Sequence, residues 1–269
     1  MVYDIDGNDL VPAVPGDSSI DYDRVVKSVN HRGYCNVAPE NTLPAYKLSK
    51  ENGFYYVETD ISFTSDNVPM LLHDATIDRT SNGSGTLANM TYEQVRQYDF
   101  GSWKSAQYAG TVIPTLAEFL DLCRKIILHP YLELKDNGNY TQAQIEMIVD
   151  MVHSYGLKGK VTYISFSNTY LGYVKNYDSS ARLGFLKSSA TTSDLTTCQN
   201  LKTTDNEVFY DVSSVSSSVC SSFASANIPI EIWTVNSTSG ILNANPYVSG
   251  VTSNNLIAGK VLYDSVITQ

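Results

Sequence analysis

Eight short apolar runs separated by helical patterns constrain the fold of this chain more than any other feature. Strand followed by helix, repeated along a chain, is typical of a parallel sheet. Eight such strands favour closure into an α/β fold of the TIM type, a (β/α)8 barrel. In chain order the predicted strands are Val25–Val29, Tyr55–Phe63, Tyr131–Leu134, Val161–Phe166, Leu183–Leu186, Val208–Val212, Ile228–Val235 and Tyr247–Val251.

Start signals mark the helices that lie between these strands. Thr115 with Glu118, and Thr141 with Gln144, form capping boxes ahead of apolar residues at helical spacing. A further helix is predicted over 42–50, where a proline is tolerated in the first turn. These signals predict helices at the positions that alternate with the strands.

The length of 269 residues suits a single barrel domain, although two smaller domains are an alternative. Residues 1–24 are rich in Asp, Gly and Pro without periodicity, which predicts an N-terminal arm on the surface of a barrel formed by 25–269. The alternation breaks in the long stretch between the second and third strands. A structureless loop of that length is unusual, so 74–114 is predicted to be a small inserted subdomain that walls the active face.

The balance of 18 basic and 28 acidic residues gives a net charge of −10, which disfavours nucleic acid and anionic lipid as partners. No stretch approaches the ~18 apolar residues that a membrane span requires. A charged fraction of 17% beside 19 tyrosines favours a secreted or cell-surface bacterial protein, with a cytoplasmic location left open.

Four cysteines without close spacing predict buried thiols, or at most one disulfide between Cys198 and Cys220. The oligomeric state is left open.

Acidic side chains fall at the C-terminal ends of neighbouring predicted strands. Glu58 and Asp60 end the second strand, and Glu133 and Lys135 end the third. Residues at i and i+2 share a face, so both pairs can point into the barrel mouth. Crowded carboxylates raise one another's proton affinity, and a hard divalent cation, Ca²⁺ or Mg²⁺, relieves that repulsion. A salt-bridged or surface role is the alternative for each acid taken singly.

Two of the four histidines, His31 and His73, follow predicted strands and precede the charged residues Arg32 and Asp74. Two imidazoles across a site can act as the base and the acid of a displacement reaction. Arg32 could then bind a phosphate group in bidentate fashion. A structural hydrogen bond is the alternative role for either histidine.

Seven short motifs occur in an order that resembles the glycerophosphodiester phosphodiesterase family. The resemblance covers nearly the whole chain from residue 25 and is densest over 31–135. It implies a (β/α)8 barrel with a small insertion after the second strand, in agreement with the pattern of runs. The motifs are His31-Arg32-Gly33, Pro39-Glu40-Asn41-Thr42, Glu58-Thr59-Asp60, Val68-Pro69 leading to His73-Asp74, Arg79-Thr80-Ser81-Asn82-Gly83, Ile113-Pro114-Thr115-Leu116 and Glu133-Leu134-Lys135.

The resemblance also implies roles for individual residues. His31 and His73 become the acid–base pair, without an indication of which is the acid. The implied ligands of one divalent cation are Glu58, Asp60 and Glu133. The implied phosphate and substrate contacts are Arg32, Lys135, Asn41 and Trp233, with barrel packing as the alternative for Trp233 and a loop-orienting role for Glu40.

The eighth predicted strand departs from the family pattern. The family usually carries an acidic residue before Gly and a Thr-Asp pair after it, whereas this chain reads Ser249-Gly250-Val251-Thr252-Ser253-Asn254. The polarity of the pocket at this strand is therefore left open, although every implied catalytic position is retained.

The function implied by the resemblance is hydrolysis of a small-molecule glycerophosphodiester to glycerol 3-phosphate and an alcohol, a reaction of lipid and glycerol metabolism. Water and the neighbouring glycerol hydroxyl are both open as the nucleophile. One alternative is a related barrel phospholipase of the phospholipase D-like or phosphoinositide-cleaving kind. Another is a non-catalytic surface module that binds a glycerophosphoryl group or a glycan.

Overall fold

Eight parallel strands close into a barrel in the computed structural model, which describes residues 2–3, 9–10, 26–135, 139–244, 248–258 and 260–261. Each strand pairs with the next around the barrel, and the eighth pairs with the first, which also pairs with the second. The predicted TIM barrel is thereby confirmed. The barrel strands, first to eighth, are Lys27–Asn30, Tyr56–Phe63, His129–Leu134, Thr162–Ser165, Arg182–Lys187, Val208–Val212, Ile230–Ile232 and Val248–Ser253.

Each of the eight predicted runs overlaps one barrel strand, with ends that differ by a few residues. The predicted N-terminal arm, 1–24, lies outside the described residues except for Val2–Tyr3 and Asp9–Leu10, which pair antiparallel. Tyr247, the predicted start of the eighth strand, also lies outside them. The hydrophobic pattern therefore predicted the order and number of the barrel strands.

A helix follows each of the first seven barrel strands. Both predicted capping boxes are present, with Thr115 and Thr141 each accepting a hydrogen bond from the third amide of its helix. Among the helices in the described part of the chain, none combines the length and hydropathy needed to cross a membrane. The seven helices are Leu43–Glu51, Leu116–Ile126, Gln142–Ser154, Asn168–Tyr177, Asp194–Leu201, Ser217–Ser225 and Thr238–Leu242.

The interior of the barrel is filled by large side chains that form the floor beneath its C-terminal mouth. Phe209 reaches the centre because Gly184 on the neighbouring strand has no side chain: a Cβ there would lie 2.3 Å from the Phe209 ring. The interior cluster consists of Val29, Tyr131, Ile164, Leu186 and Phe209. A larger cluster lies between the sheet and the surrounding helices.

The segment that follows the second barrel strand has its own small core. The chain first turns back through Pro69–Leu71, which pairs antiparallel with the end of the second strand. Arg96 then donates two hydrogen bonds, of 2.9 and 3.1 Å, to Glu118 and so ties the segment to the helix Leu116–Ile126. The core residues of this segment are Met70, Leu72, Ile77, Leu87, Val95, Phe100 and Ile113.

None of the four cysteines, all of which lie among the described residues, forms a disulfide. Cys123, Cys198 and Cys220 are buried, as predicted, and Cys35 is half-buried. The alternative of a disulfide between Cys198 and Cys220 is not formed.

Candidate active site

A cavity opens at the C-terminal ends of the barrel strands, where the sequence predicts the chemistry. Two sets of lining residues, here called walls, differ in character. The charged wall, from the first three strands and the segment after the second, consists of His31, Arg32, Glu58, His73, Glu133 and Lys135. The apolar wall, from the fourth to the eighth strands, consists of Ile164, Phe166, Leu186, Asp211, Trp233 and Thr252.

Three carboxylates meet at the charged wall. One oxygen from each of Glu58, Asp60 and Glu133 lies within 4.8 Å of the others. The second and third strands are neighbours with Asp60 opposite Glu133, so two chain-distant acids share one site. Glu58 Oε1 is buried without a hydrogen-bond partner among the described residues. The predicted convergence of the three acids is therefore present in the structure.

The pKa shifts of the three acids differ in direction. The site stabilises the ionised form of Asp60, but not that of Glu58 or Glu133. Burial, followed by the charges of Asp60 and Glu133, raises the pKa of Glu58 well above its usual range. Burial and then Asp60 raise the pKa of Glu133 to about 7. Burial opposes ionisation of Asp60 as well, but Lys135 and Arg32 lower the pKa of that carboxyl below its usual range. Three hard oxygen donors, one without a partner, fit a divalent cation such as Ca²⁺ or Mg²⁺.

Two cations of the charged wall contact these acids. Lys135 Nζ lies 3.2 Å from Asp60 Oδ1 and 2.9 Å from Glu133 Oε1. The Arg32 guanidinium lies 3.3 Å from Asp60 Oδ2 through Nε. Arg32 has a left-handed backbone with φ of 54°, and its backbone N–H donates to Glu58 Oε2 at 2.9 Å. Arg32, in the turn after the first strand, thus contacts the acids through both its main chain and its side chain.

His31 is held by a side chain from the end of the barrel. Its Nδ1 lies 2.8 Å from Asn254 Oδ1, while its Nε2 lies 3.9 Å from Glu58 Oε2, too far for a hydrogen bond. An amide oxygen only accepts, so Nδ1 carries the proton and the lone pair is on Nε2. Burial, followed by the charge of Arg32, lowers the pKa of His31 to about 4.

His73 stands at the end of a chain of charged contacts that returns to Arg32. His73 Nδ1 lies 2.7 Å from Asp74 Oδ1, and Arg79 Nε donates to the other oxygen of Asp74 at 2.6 Å. Arg79 also donates two hydrogen bonds of 2.8 Å to Glu40, which accepts a third, of 2.9 Å, from Arg32. Through these contacts Glu40 orients its loop, in agreement with the loop-orienting role considered from the sequence.

Asn41 lies behind Asp60 rather than at the cavity. Its side chain is buried, its Nδ2 donates to Asp60 Oδ2 at 2.8 Å, and its Oδ1 accepts hydrogen bonds of 3.0 Å from Tyr46 and Thr59. These contacts occupy both ends of the amide. In this structure Asn41 therefore positions Asp60, and its expected phosphate contact stays a prediction.

Trp233 lines the cavity, as expected, and packs edge-on against Phe166 with ring centroids 5.8 Å apart. Its Nε1–H is buried and has no hydrogen-bond partner among the described residues. Both cavity lining and barrel packing therefore apply to this residue.

The sequence reasoning missed two polar residues of the site. Asp211 interrupts an otherwise apolar run at the end of the sixth barrel strand, and this interruption was the available signal. Asn254 follows the eighth strand in the stretch that departs from the family pattern, and no sequence signal connected it with His31.

Comparisons with known proteins agree with this arrangement. The model of the glycerophosphoryl diester phosphodiesterase family matches residues 31–268. The mouse glycerophosphodiester phosphodiesterase 1 is 39% identical over 125 residues, a match that covers 46% of this chain and 38% of the mouse protein. The glycerophosphodiester phosphodiesterase of Caldanaerobacter subterraneus is 30% identical over 158 residues, covering 59% of this chain and 65% of that protein. The matches thus span less than two thirds of these relatives.

Solved structures share the fold. An Oleispira antarctica phosphodiesterase in complex with the product sn-glycerol-3-phosphate superposes with a TM-score of 0.75 at 24% identity, covering 90% of this chain and 97% of that one. A glycerophosphodiester phosphodiesterase from Agrobacterium tumefaciens gives a TM-score of 0.71 at 22% identity, covering 89% and 99% of the two chains. At these identities the likeness establishes the barrel fold alone.

Proposed function

The chain belongs to the glycerophosphoryl diester phosphodiesterase family, and from that premise we propose that it hydrolyses a glycerophosphodiester to glycerol 3-phosphate and an alcohol. The observation that carries this proposal is the meeting of Glu58, Asp60 and Glu133 at a cavity that two histidines also line. Two relatives named as such phosphodiesterases, and a neighbouring structure that holds sn-glycerol-3-phosphate, support the choice of substrate.

The three acids are the proposed ligands of one divalent cation. Bound there, such an ion acts as a Lewis acid on a phosphate oxygen and as a template for the substrate. Ca²⁺ and Mg²⁺ both suit the oxygen ligands. The unpartnered Glu58 Oε1 supports this assignment, because a buried carboxylate oxygen without a donor is costly unless a ligand meets it.

His31 is the proposed base and His73 the proposed acid. With Nδ1–H donated to Asn254, the Nε2 lone pair of His31 is available to take the proton of the nucleophile. Asp74 Oδ1 lies 2.7 Å from His73 Nδ1 and orients this ring, which leaves Nε2 as the nitrogen that protonates the departing alkoxide. Their different partners therefore support different roles for the two rings.

Arg32 and Lys135 are the proposed phosphate-binding groups. Both line the cavity beside the acids, and both carry positive charge where the equatorial oxygens of the phosphate accumulate negative charge. Their contacts with Asp60 hold them in place before substrate binds.

The first experiment measures release of glycerol 3-phosphate from glycerophosphocholine, with and without a chelator, and with Ca²⁺ or Mg²⁺ restored. We expect activity that the chelator abolishes and a divalent cation restores. Activity that is insensitive to chelation would remove the metal role. Absence of activity on every deacylated phospholipid tested would instead favour a non-catalytic binding module.

The His31→Ala variant tests the base, with an expected loss of about 10²–10⁴-fold in kcat. Activity close to that of the parent would remove this assignment. Phosphorus NMR under single-turnover conditions then distinguishes the two candidate nucleophiles. A cyclic phosphate intermediate indicates attack by the neighbouring glycerol hydroxyl, and direct appearance of glycerol 3-phosphate indicates water.

A further inference from the structure

Asp211 is an acidic group that the proposed reaction does not use. It lies on the sixth barrel strand, two residues after the interior Phe209 and on the same face, and it lines the cavity. Its side chain is 2% exposed, and Oδ1 has no hydrogen-bond partner among the described residues. A buried carboxylate without a partner destabilises the fold, so the presence of Asp211 at this position requires a physical explanation.

The neighbouring acid in the barrel, Glu231, also has one oxygen without a hydrogen-bond partner among the described residues, but it has a counter-charge. Glu231 stands opposite Asp211 on the adjacent strand, and Arg182 Nη2 lies 2.9 Å from its Oε1. Asp211 has no ion pair of this kind within the described part of the chain. Burial, followed by the charges of Glu231 and Glu133, raises the pKa of Asp211 well above its usual range, as expected for an acid that lacks a counter-charge.

The side chains around Asp211 indicate what the missing partner is. The apolar wall otherwise presents aliphatic Ile164 and Leu186 and the aromatic pair Phe166 and Trp233. Its remaining polar groups are few, whereas a polyhydroxy headgroup needs many hydrogen bonds when it leaves water. Aromatic rings beside one carboxylate are instead suited to an organic ammonium ion, which is bulky, weakly hydrated and positively charged.

We propose that Asp211 and the aromatic pair Phe166 and Trp233 form a subsite for a cationic alkylammonium headgroup, so that this chain favours glycerophosphodiesters of amino alcohols over those of neutral alcohols. The inference rests on the proposed function. The charged wall takes the phosphate and the glycerol unit, and the headgroup extends to the apolar wall. The ammonium ion then supplies the counter-charge that Asp211 lacks.

The test compares kcat/KM for glycerophosphocholine and glycerophosphoglycerol, which share the glycerol 3-phosphate half and differ in headgroup charge. In Asp211→Asn, which keeps the shape and removes the charge, we expect kcat/KM for glycerophosphocholine to fall about tenfold and that for glycerophosphoglycerol to change less than about twofold. Asp121→Asn makes the same change in net charge on the outer face of a helix, and neither substrate should respond to it.

Competition experiments give a second readout that does not depend on the stability of a variant. Choline should inhibit the parent protein at concentrations about tenfold lower than its neutral isostere, in which a tert-butyl group replaces the trimethylammonium group. In Asp211→Asn the two compounds should become equal. Equal inhibition of the parent by both would overturn the subsite.

The outcomes separate this inference from the proposed function. Hydrolysis of both substrates with an equal loss in Asp211→Asn would overturn the subsite and leave the phosphodiesterase activity standing. Hydrolysis of neither substrate by the parent protein, with divalent cation supplied, would overturn the proposed function and the subsite with it.

Discussion

The two ends of the barrel contain buried charges that are paired to different degrees. The upper cluster, at the C-terminal ends of the strands, consists of Arg32, Glu58, Asp60, Glu133 and Lys135. The lower cluster, at the N-terminal ends, consists of Lys27, Tyr131, Arg182, Glu207 and Glu231. Apart from Glu207, whose side chain is exposed, the charged groups of both clusters are enclosed in one barrel, so their balance of charge can be compared directly.

Arg182 organises the lower cluster. Its guanidinium lies 2.9 Å from Glu231 and 3.0 Å from Glu207, donates to the Tyr131 hydroxyl at 2.9 Å and lies 4.8 Å from the Phe209 ring centroid. A single planar cation thus meets two carboxylates, a phenol and an aromatic face. Glu231 Oε2 has no hydrogen-bond partner among the described residues, but the two cations Arg182 and Lys27 balance the two carboxylates of this cluster, as is typical of a structural role.

The upper cluster holds three carboxylates against two cations, and Glu58 Oε1 has no hydrogen-bond partner among the described residues. Its remaining negative charge is turned toward the cavity. The comparison teaches that the barrel balances buried charge where it needs stability and leaves charge unbalanced where a ligand is expected.

The largest expected effect comes from Glu58→Gln, which removes one negative charge from the upper cluster. Activity should fall about 10³-fold or more because a proposed cation ligand is lost. The thermal midpoint should not fall. Burial raises the pKa of Glu58 well above its usual range, which means that a negative charge at this position does not stabilise the fold. Glu207→Gln, at the exposed edge of the lower cluster, is the matched control and should retain activity. Retained activity in Glu58→Gln would contradict the metal assignment.

The next effect comes from the lower cluster. Arg182→Met leaves Glu231 buried without its counter-charge, so the free energy of unfolding measured in urea should fall by about 3–5 kcal/mol. The folded fraction should keep its kcat, since the change lies at the other end of the barrel. The double variant with Glu231→Leu should recover much of the lost stability. A stable Arg182→Met protein with impaired catalysis would reverse the comparison.

A smaller effect is the pH dependence of stability in chelated protein. The pKa of Glu133 is raised from 4.5 to about 7, so between these values the folded protein binds this proton more tightly than the unfolded chain does. The free energy of unfolding should therefore fall by about 3 kcal/mol as pH rises through this window. Glu133→Gln should lack that part of the slope, and saturating Ca²⁺ or Mg²⁺ should suppress it. An identical slope in parent and variant would contradict the shift.

The smallest effect concerns Arg79, which supports the upper cluster from outside through Asp74 and Glu40. Arg79→Leu should lower kcat about tenfold with little change in KM, because His73 loses its fixed orientation while substrate contacts remain. Arg79→Lys should recover part of the loss. Arg124→Leu, which breaks an exposed pair on an outer helix, should leave kcat unchanged. A rise in KM alone would argue for substrate binding by Arg79.

Much of the fold could be predicted because barrel strands and capping boxes are local patterns. A strand or a helix start can be recognised from a few consecutive residues, as in the eight apolar runs and the pairs Thr115–Glu118 and Thr141–Gln144. The meeting of Glu58, Asp60 and Glu133 also followed from local pattern, since the mouth of a parallel barrel collects the strand ends.

Other features of the site depend on contacts between distant parts of the chain. Asn254 reaches His31 across 223 positions, and Arg79 reaches Glu40 across 39. Asn41 illustrates the reverse case. A polar residue beside a catalytic motif suggests a substrate contact. In the structure, however, the Asn41 amide accepts hydrogen bonds from Tyr46 and Thr59 and donates one to Asp60. Only the folded arrangement distinguishes these roles.

The fit of Phe209 into the space left by Gly184 carries an evolutionary consequence. Because each position fills the volume that the other vacates, neither can change size alone, and homologues should exchange bulk between them in concert. A smaller residue at position 209 would deepen the pocket, and a larger residue at position 184 would then fill the barrel interior again. This reciprocal pair gives protein engineers a way to alter pocket depth without disturbing the charges above it.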